Sequence, residues 1–227
     1  MSGVLLMSCA GPMQSWGTRS RFEIRDTERE PSKSGVVGLI ASALGRDRKD
    51  SVVDLASLRM GVRVDQEGIL KKDFQTVQQV AVASGGTPSN LISTRYYLAD
   101  AVFLVGLEGG LDLLTQISHA LKKPRRPLFF GRKSFVPSRP VFLPDGLIPS
   151  AQLAATLESY PPLISFPGKN GQRGDSERRV FRFILETNYV TPNKRRDQPL
   201  SFDINDRQYQ DRYVKIYRSV IQPKGGI

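Results

Sequence analysis

At 227 residues, with 39% hydrophobic and 8% aromatic side chains, the chain has the length and apolar content to bury a substantial core, which excludes disorder as its overall state. Its 33 Lys and Arg against 22 Asp and Glu leave a formal charge of +11, an imbalance that attracts phosphate backbones or anionic membranes. The longest apolar stretches are broken by Gly, Ser or charge well short of a bilayer's thickness, so the expected partner is nucleic acid and not a membrane.

Residues 4–9 form a nearly continuous apolar run, which suits a central strand covered on both faces. No basic residue precedes it, so it reads as a strand and not as a signal peptide. Cys9 is the single cysteine; it has no partner for an internal disulfide and reads as a small core residue, and these features together point to a cytoplasmic chain without a metal cluster. After Gly11 and Pro12, residues 13–30 carry no helical or strand period and read as a long loop. Trp16 in that loop, with Gln14, Arg19 and Arg21 beside it, fits either packing under the loop or stacking on a base. Asp26, Glu28 and Glu30 alternate with Arg25 and Arg29, as a solvated charge run does.

Pro31-Ser32-Lys33-Ser34-Gly35 opens the clearest helix: Val36, Leu39, Ile40, Ala43 and Leu44 share one face, Pro31 with Ser32 or Ser34 marks the start, and Gly45 the stop. The unpaired N–H groups of its first turn, the serine hydroxyls and Lys33 serve either as simple capping groups or as a phosphate site. Residues 50–57 suit a short helix. Leu58, Gly61, Val62 and Val64 lead through Asp65-Gln66-Glu67-Gly68 into Ile69 as a hairpin would. Strands are expected at 72–82 and 94–107, joined by the Gly/Ser-rich tip Ser84-Gly85-Gly86-Thr87-Pro88-Ser89-Asn90, so that together they form a projecting hairpin. At its return base, Arg95, Tyr96 and Tyr97 are placed to stack on bases; equally, Tyr97 continues the apolar face of Ala101, Phe103 and Val105.

Residues 111–121 read as a second amphipathic helix, with His119, the only histidine, pointing almost opposite its apolar face. The stretch 124–140, PRRPLFFGRKSFVPSRP, sets five cations around Leu128, Phe129 and Phe130 with no acidic residue. Its aromatic run suits one short buried strand, and Gly131-Arg132-Lys133-Ser134 a turn whose backbone comes close to an anion; the alternative is a solvated basic loop. Beyond it come Val141 to Leu143, a possible helix at 150–157, a basic flexible segment at 167–179, a strand at 180–185, a second basic cluster of Lys194, Arg195 and Arg196, and a last strand carrying Tyr209, Tyr213, Val214 and Ile216. Two strand-helix-strand runs with intervening hairpins fit an α+β domain, with a ferredoxin-like body related in plan to RNA-recognition domains.

Several motifs in order carry a family resemblance. Ala10-Gly11-Pro12-Met13-Gln14-Ser15-Trp16-Gly17, the helix from Pro31 to Gly45, Leu121-Lys122-Lys123-Pro124 with Phe130-Gly131-Arg132-Lys133-Ser134, and Arg196-Asp197-Gln198-Pro199 with Arg207, Tyr209, Arg212 and Val214 together resemble the CasD-type, Cas-five branch of the RAMP superfamily. Members of that type are subunits of the type I-E CRISPR surveillance complex Cascade. The resemblance implies a single RAMP-type domain over 1–227, with a thumb hairpin at 77–95 and a β-rich C-terminal extension at 141–227. It implies a non-catalytic, cofactor-free role: holding the 5′ handle of the CRISPR RNA, capping the filament of backbone subunits, and touching the large PAM-reading subunit, with target DNA met indirectly through the complex.

The expected RNA-binding residues are Gln14, Trp16, Ser32, Lys33, Ser34, Gly35, Arg95, Tyr97, Gly131, Arg132, Lys133 and Ser134. Phosphates would be held at the helix start and the Gly131 loop, and unstacked bases by Gln14 and by Trp16 or Tyr97. The rival reading is a metal-independent endoribonuclease, since some Cas-five relatives cut precursor CRISPR RNA. Such cleavage needs a general base, usually histidine, and the chain offers only His119.

Overall fold

The computed structural model describes residues 1–18, 24–81, 85, 89–164 and 179–221. Arg19 and Arg21, most of the hairpin tip at 84–88, and the basic segment at 167–178 lie outside the described residues. In chain order the elements are β1 (Ser2–Ala10), β2 (Met13–Gln14), β3 (Ile24–Arg25), α1 (Lys33–Leu44), α2 (Val53–Ala56), β4 (Arg59–Gln66), β5 (Ile69–Val80), β6 (Ser89–Ala99) and β7 (Val102–Gly110). They continue with α3 (Leu111–Lys122), β8 (Phe142–Pro149), α4 (Leu153–Ser159), β9 (Arg179–Thr187), β10 (Lys194–Ser201) and β11 (Gln208–Ile221). This is an α+β fold built on a seven-stranded antiparallel sheet in the order β10-β11-β9-β4-β7-β1-β8. Among the described residues no helix is long and apolar enough to cross a membrane.

The apolar run of β1 does what its composition requires. Leu5, Met7 and Cys9 pack in the larger core with α1 and α3, while Val4 and Leu6 face the opposite core with Leu153 and Leu157 of α4. α1 starts where the sequence signals it: the Ser32 hydroxyl accepts the Gly35 N–H at 3.3 Å, and Gly45 closes the helix at a φ of 80°. α3 occupies the expected span and leaves His119 exposed.

Three sequence expectations are corrected. The residues from Leu58 to Ile69 are not a hairpin, because β4 pairs with β7 and β9 while β5, among the described residues, pairs with β6 alone. Nor is 94–107 one strand: it breaks into β6 and β7 at Asp100, whose φ is +56°. The two corrections have one cause. The β4–β7 pair runs to Gln66 and Val102, and the β5–β6 pair resumes at Ile69 and Ala99, so a single two-stranded ribbon turns a corner out of the large sheet. The Gln66 amide donates to the Asp100 carbonyl at 2.6 Å and ties the corner together. Beyond it β5 is exposed along almost its whole length, and β6 takes up β2 and β3 on its other side. Third, the aromatic run at 128–130 is not a strand; it belongs to an irregular loop in which Phe130 is fully buried.

Candidate nucleic-acid interface

The loop at 130–135 is folded on itself, with the Phe130 N–H donating to the Phe135 carbonyl at 2.8 Å and the Phe135 N–H to the Arg132 carbonyl at 2.9 Å. The Ser15 N–H donates to the Phe130 carbonyl at 3.0 Å, which binds this loop to the segment after β2. Gly131 is required at the contact: its φ is +87°, and a Cβ there would stand 1.9 Å from the Ser15 carbonyl oxygen. Trp16 fills the space behind, its ring 5.7 Å from that of Phe130. A Cβ on Gly35 would come within 2.7 Å of the Trp16 ring, so the first turn of α1 also rests on this indole.

Between these elements lies a cleft of about 470 Å³. The α1 start contributes Ser32, Ser34 and Gly35; the loop contributes Gly131 and Arg132; β3 and β6 contribute Arg25 and Arg95; and Phe202 and Tyr209 close it from the C-terminal strands. Arg132 donates to the Tyr96 carbonyl at 2.8 Å and lies 5.0 Å from the centre of the Phe135 ring, which fixes its guanidinium at the base of the β5–β6 ribbon. Burial, then the charge of Arg95 and that of Arg25, disfavour the Arg132 cation and lower its pKa, with Asp73 as the opposing charge. Three guanidiniums therefore meet at one concave surface whose lining, among the described residues, holds a single acidic residue, Asp26, and an anion placed there would offset the positive charge that remains.

A family model described as CRISPR-associated protein (Cas5) matches residues 4–215. The chain belongs to the Cas5 family. It is 32% identical over 180 residues to the CRISPR system Cascade subunit CasD of Escherichia coli strain K12, covering 72% of this chain and 79% of that protein. Among solved structures it is similar to a Cas protein at 44% identity and a TM-score of 0.74, with 98% of both chains covered. It is also similar to a chain of a CRISPR RNA-guided surveillance complex at 32% identity and a TM-score of 0.77, covering 96% of this chain and 90% of that one. The CasD-type resemblance of the sequence motifs is thus matched by a CasD relative over 72% of the chain and by the Cas5 family over residues 4–215.

In this Cas5 protein the twelve residues named from sequence separate into two groups. Trp16, Ser32, Ser34, Gly35, Arg95, Gly131 and Arg132 line the cleft, whereas Gln14, Lys33, Tyr97, Lys133 and Ser134 do not. Gln14 is not placed to read a base edge. It is fully buried; its amide nitrogen donates to the carbonyls of Ala101 at 2.8 Å and Cys9 at 3.2 Å, and its oxygen accepts the Trp16 indole N–H at 3.1 Å. Trp16, only 1% exposed, is a packing residue with one edge on the cleft and not an open stacking platform. Tyr97 packs beside Phe135, the ring centres 5.8 Å apart. Lys133 and Ser134 are exposed on the loop away from the cleft lining.

Lys33 is the plainest correction. Its ammonium is buried against Glu186 at 2.8 and 2.9 Å, and its backbone N–H is taken by Asp197 at 2.7 Å. Asp197 is in turn gripped by Arg212 through two hydrogen bonds of 2.6 and 2.9 Å. Desolvation lowers the Lys33 pKa, and Glu186 pulls it back up. The α1 start is therefore capped in part by a carboxylate from β10, and its remaining surface at Ser34 and Gly35 is what faces the cleft. The charge run before α1 is also misread from sequence: Glu30 is buried and pairs with Arg182 at 2.9 Å and Arg195 at 2.8 Å. The lining residues that sequence reasoning did not assign to the site are Ser15, Gly17, Arg25, Asp26, Phe202 and Tyr209. A family motif pointed to Tyr209; Arg25 carried no signal, because the two-residue strand that presents it is too short to show a period.

Proposed function

We propose that this CasD-type protein is a non-catalytic CRISPR RNA-binding subunit of Cascade that holds the 5′ handle of the CRISPR RNA in the cleft between α1, the Gly131 loop and the base of the β5–β6 ribbon. The observation that carries this reading is the convergence of Arg25, Arg95 and Arg132 on one cleft beside the first turn of α1. Phosphates position a nucleic acid, and a concave cluster of guanidiniums recognises them bidentately. Glycine at 131 allows the backbone of the loop to form the cleft wall without a side chain in the way.

Within this proposal the body is a ferredoxin-like RAMP domain. The strand order β4-β7-β1-β8, with α1 following β1 and α3 following β7, supports that reading. The β5–β6 ribbon is the thumb, longer at both ends than the sequence boundaries of 77–95, and β9 to β11 form the greater part of the C-terminal extension. Backbone subunits of the complex and the large PAM-reading subunit are the expected protein partners, and the cytoplasm the expected compartment. The processing-nuclease reading has no observation in its favour: the one histidine, His119, is exposed on α3 and is not part of the cleft lining.

The test is a gel-shift series with the purified chain, a labelled CRISPR repeat and a scrambled repeat, without added metal. Preference for the intact repeat, and loss of that binding in Arg132→Ala, is the expected result. Equal binding of both RNAs would remove the handle assignment. A discrete product that persists under chelation and vanishes in His119→Ala would move the protein to the nuclease class. Co-expression with the backbone protein and the large subunit, followed by size-exclusion chromatography, checks the assembly role.

A further inference from the structure

The cleft has two chemically different walls. Arg25, Arg95 and Arg132, with Asp26 among them, supply the charged part of the lining; Phe202 and Tyr209, from the segment where β10 turns into β11, supply the aromatic part. The two rings are 6.5 Å apart at 60° to one another, a tilted pair, and both line the cleft. Both are only partly buried, unlike Trp16 and Phe130, which the core consumes completely. Phe202 is backed by α1, whose Gly38 would meet its ring at 3.9 Å if it carried a Cβ, so the ring is supported from behind. The Tyr209 hydroxyl is held partly out of water, which raises its pKa, while Arg207 and Arg48 stand near enough to oppose that rise. A cleft of about 470 Å³ lies in the range of roughly 300–1,000 Å³ that accepts a small ligand, so it has room for a nucleotide.

We infer that Phe202 and Tyr209 form a nucleobase-stacking subsite, which takes the base of a single-stranded ribonucleotide whose phosphate lies against the Arg25, Arg95 and Arg132 wall. The inference rests on the proposed function and adds to it the chemistry by which a base, and not only a phosphate, is held. Single-strand binders combine a cationic track with aromatic faces on which unstacked bases lie. Of the two residues that sequence suggested for stacking, Trp16 is consumed by the core against Phe130, and Tyr97, beside Phe135, is not part of the cleft lining. Phe202 and Tyr209 are the aromatic rings besides Trp16 that line the cleft, and they supply the missing face.

The experiment uses the full chain and four probes: the RNA octamers rA8, rC8 and rU8, and an octamer of abasic ribose phosphate. Binding is followed by probe anisotropy and by the emission of Trp16, the single tryptophan, which borders the cleft. The wild-type protein is expected to bind at least one base-bearing octamer more tightly than the abasic one. In Phe202→Leu with Tyr209→Leu that advantage should fall by roughly 5- to 150-fold, the loss associated with one stacked base, while the abasic affinity and its salt dependence stay as they were. Arg132→Ala should instead weaken all four probes alike.

A double variant that keeps the wild-type preference for bases overturns the subsite, as does one that loses abasic binding equally, since that marks a structural role. If wild-type protein binds base-bearing and abasic octamers equally and with salt dependence, the subsite falls and the phosphate site stands. If it binds none of them, the reading of the cleft as an RNA site falls as well.

Discussion

Arg25 and Arg95 stand side by side in register on the adjacent parallel strands β3 and β6. Across β6, the antiparallel partner of Arg95 is Asp73 on β5, so one row of the small sheet runs Asp73, Arg95, Arg25. Like charges on neighbouring strands are destabilising, and here two carboxylates, Asp73 beside Arg95 and Asp26 in the cleft lining, stand against the three guanidiniums of Arg25, Arg95 and Arg132. A fold does not gain stability from such an arrangement; a binding site does.

Replacing these cations should therefore separate stability from binding. Arg25→Gln and Arg95→Gln are each expected to leave the melting temperature unchanged or slightly raised while lowering affinity for CRISPR repeat RNA. Each RNA phosphate that the variant no longer neutralises should reduce the slope of log K against log salt by roughly 0.7. Anisotropy titrations at several salt concentrations beside thermal unfolding check this, and a fall in stability without a change in slope would count against a phosphate-binding role.

Gly131→Ala is expected to damage the site through the backbone. The new methyl would meet the Ser15 carbonyl oxygen at 1.9 Å with φ held at +87°, so either the loop or the segment after β2 must move. Left-handed strain alone costs roughly 1–3 kcal/mol, and the clash adds to it. A drop in melting temperature of about 5 °C or more, with weaker RNA binding, is the predicted outcome. Unchanged melting and binding would show that this approach is not needed.

The buried pair of Lys33 and Glu186 sets a pH dependence. Glu186→Gln leaves a buried ammonium without its counter-charge and should cost about 3–5 kcal/mol at neutral pH, whereas adding Lys33→Met should recover most of that loss. The folded state binds the Lys33 proton less tightly than the unfolded chain does, because its pKa is lowered from 10.5. Between that lowered value and 10.5 the unfolded chain holds more protons, so this residue makes stability rise with pH across the window. In Glu186→Gln the window opens at a lower pH. Cys9, whose pKa is raised from 9.0 to about 12, has the opposite sign above pH 9.0 in both proteins, so the difference between the two denaturation profiles isolates Lys33. A flat difference profile would contradict the assignment.

Cys9 is also a probe of the intact sheet. Its thiol is buried in β1 and burial pushes its pKa up to about 12, so the reactive thiolate is scarce and sheltered. Ellman's reagent is expected to leave the folded protein essentially unmodified at mildly alkaline pH and to modify one thiol per chain in concentrated guanidinium chloride. Rapid reaction of the folded protein would mean that β1 is not covered on both faces.

Removal of the Gln14 side-chain amide, as in Gln14→Leu, strands the Trp16 indole N–H and the Ala101 carbonyl inside the protein. Each buried group left without a partner costs roughly 1–3 kcal/mol. The variant should melt well below wild type, with a shifted Trp16 emission maximum. Wild-type melting and emission would return Gln14 to the pool of residues free to meet RNA.

The elements that were legible in the sequence are those whose signal is local. The two-faced apolar run of β1, the serine-to-glycine span of α1 and the stripe of α3 follow from periodicity and capping, which act within a turn or two of chain. The third strand of the C-terminal region, β10, was not legible. Its residues read as a basic cluster followed by Pro199, and only its position at the sheet edge makes a proline acceptable there. The ribbon corner at Gln66 and Asp100 was likewise hidden, because a change of sheet alters hydrogen-bond partners and not hydrophobic alternation.

By itself the sequence determined the charge excess, the α+β pattern, the helix caps, the glycine at 131 and the order of motifs that marks a Cas5 chain. Only the tertiary structure decided which cations are available. Lys33 and Arg132 are alike in sequence as basic residues next to serine or glycine, each a candidate phosphate contact. One lies beside Glu186 from β9, 153 positions away, and is neutralised; the other faces Arg25 and Arg95 and is not. Burial and counter-charge depend on what distant strands bring together, and that information is carried by the packing of the sheet.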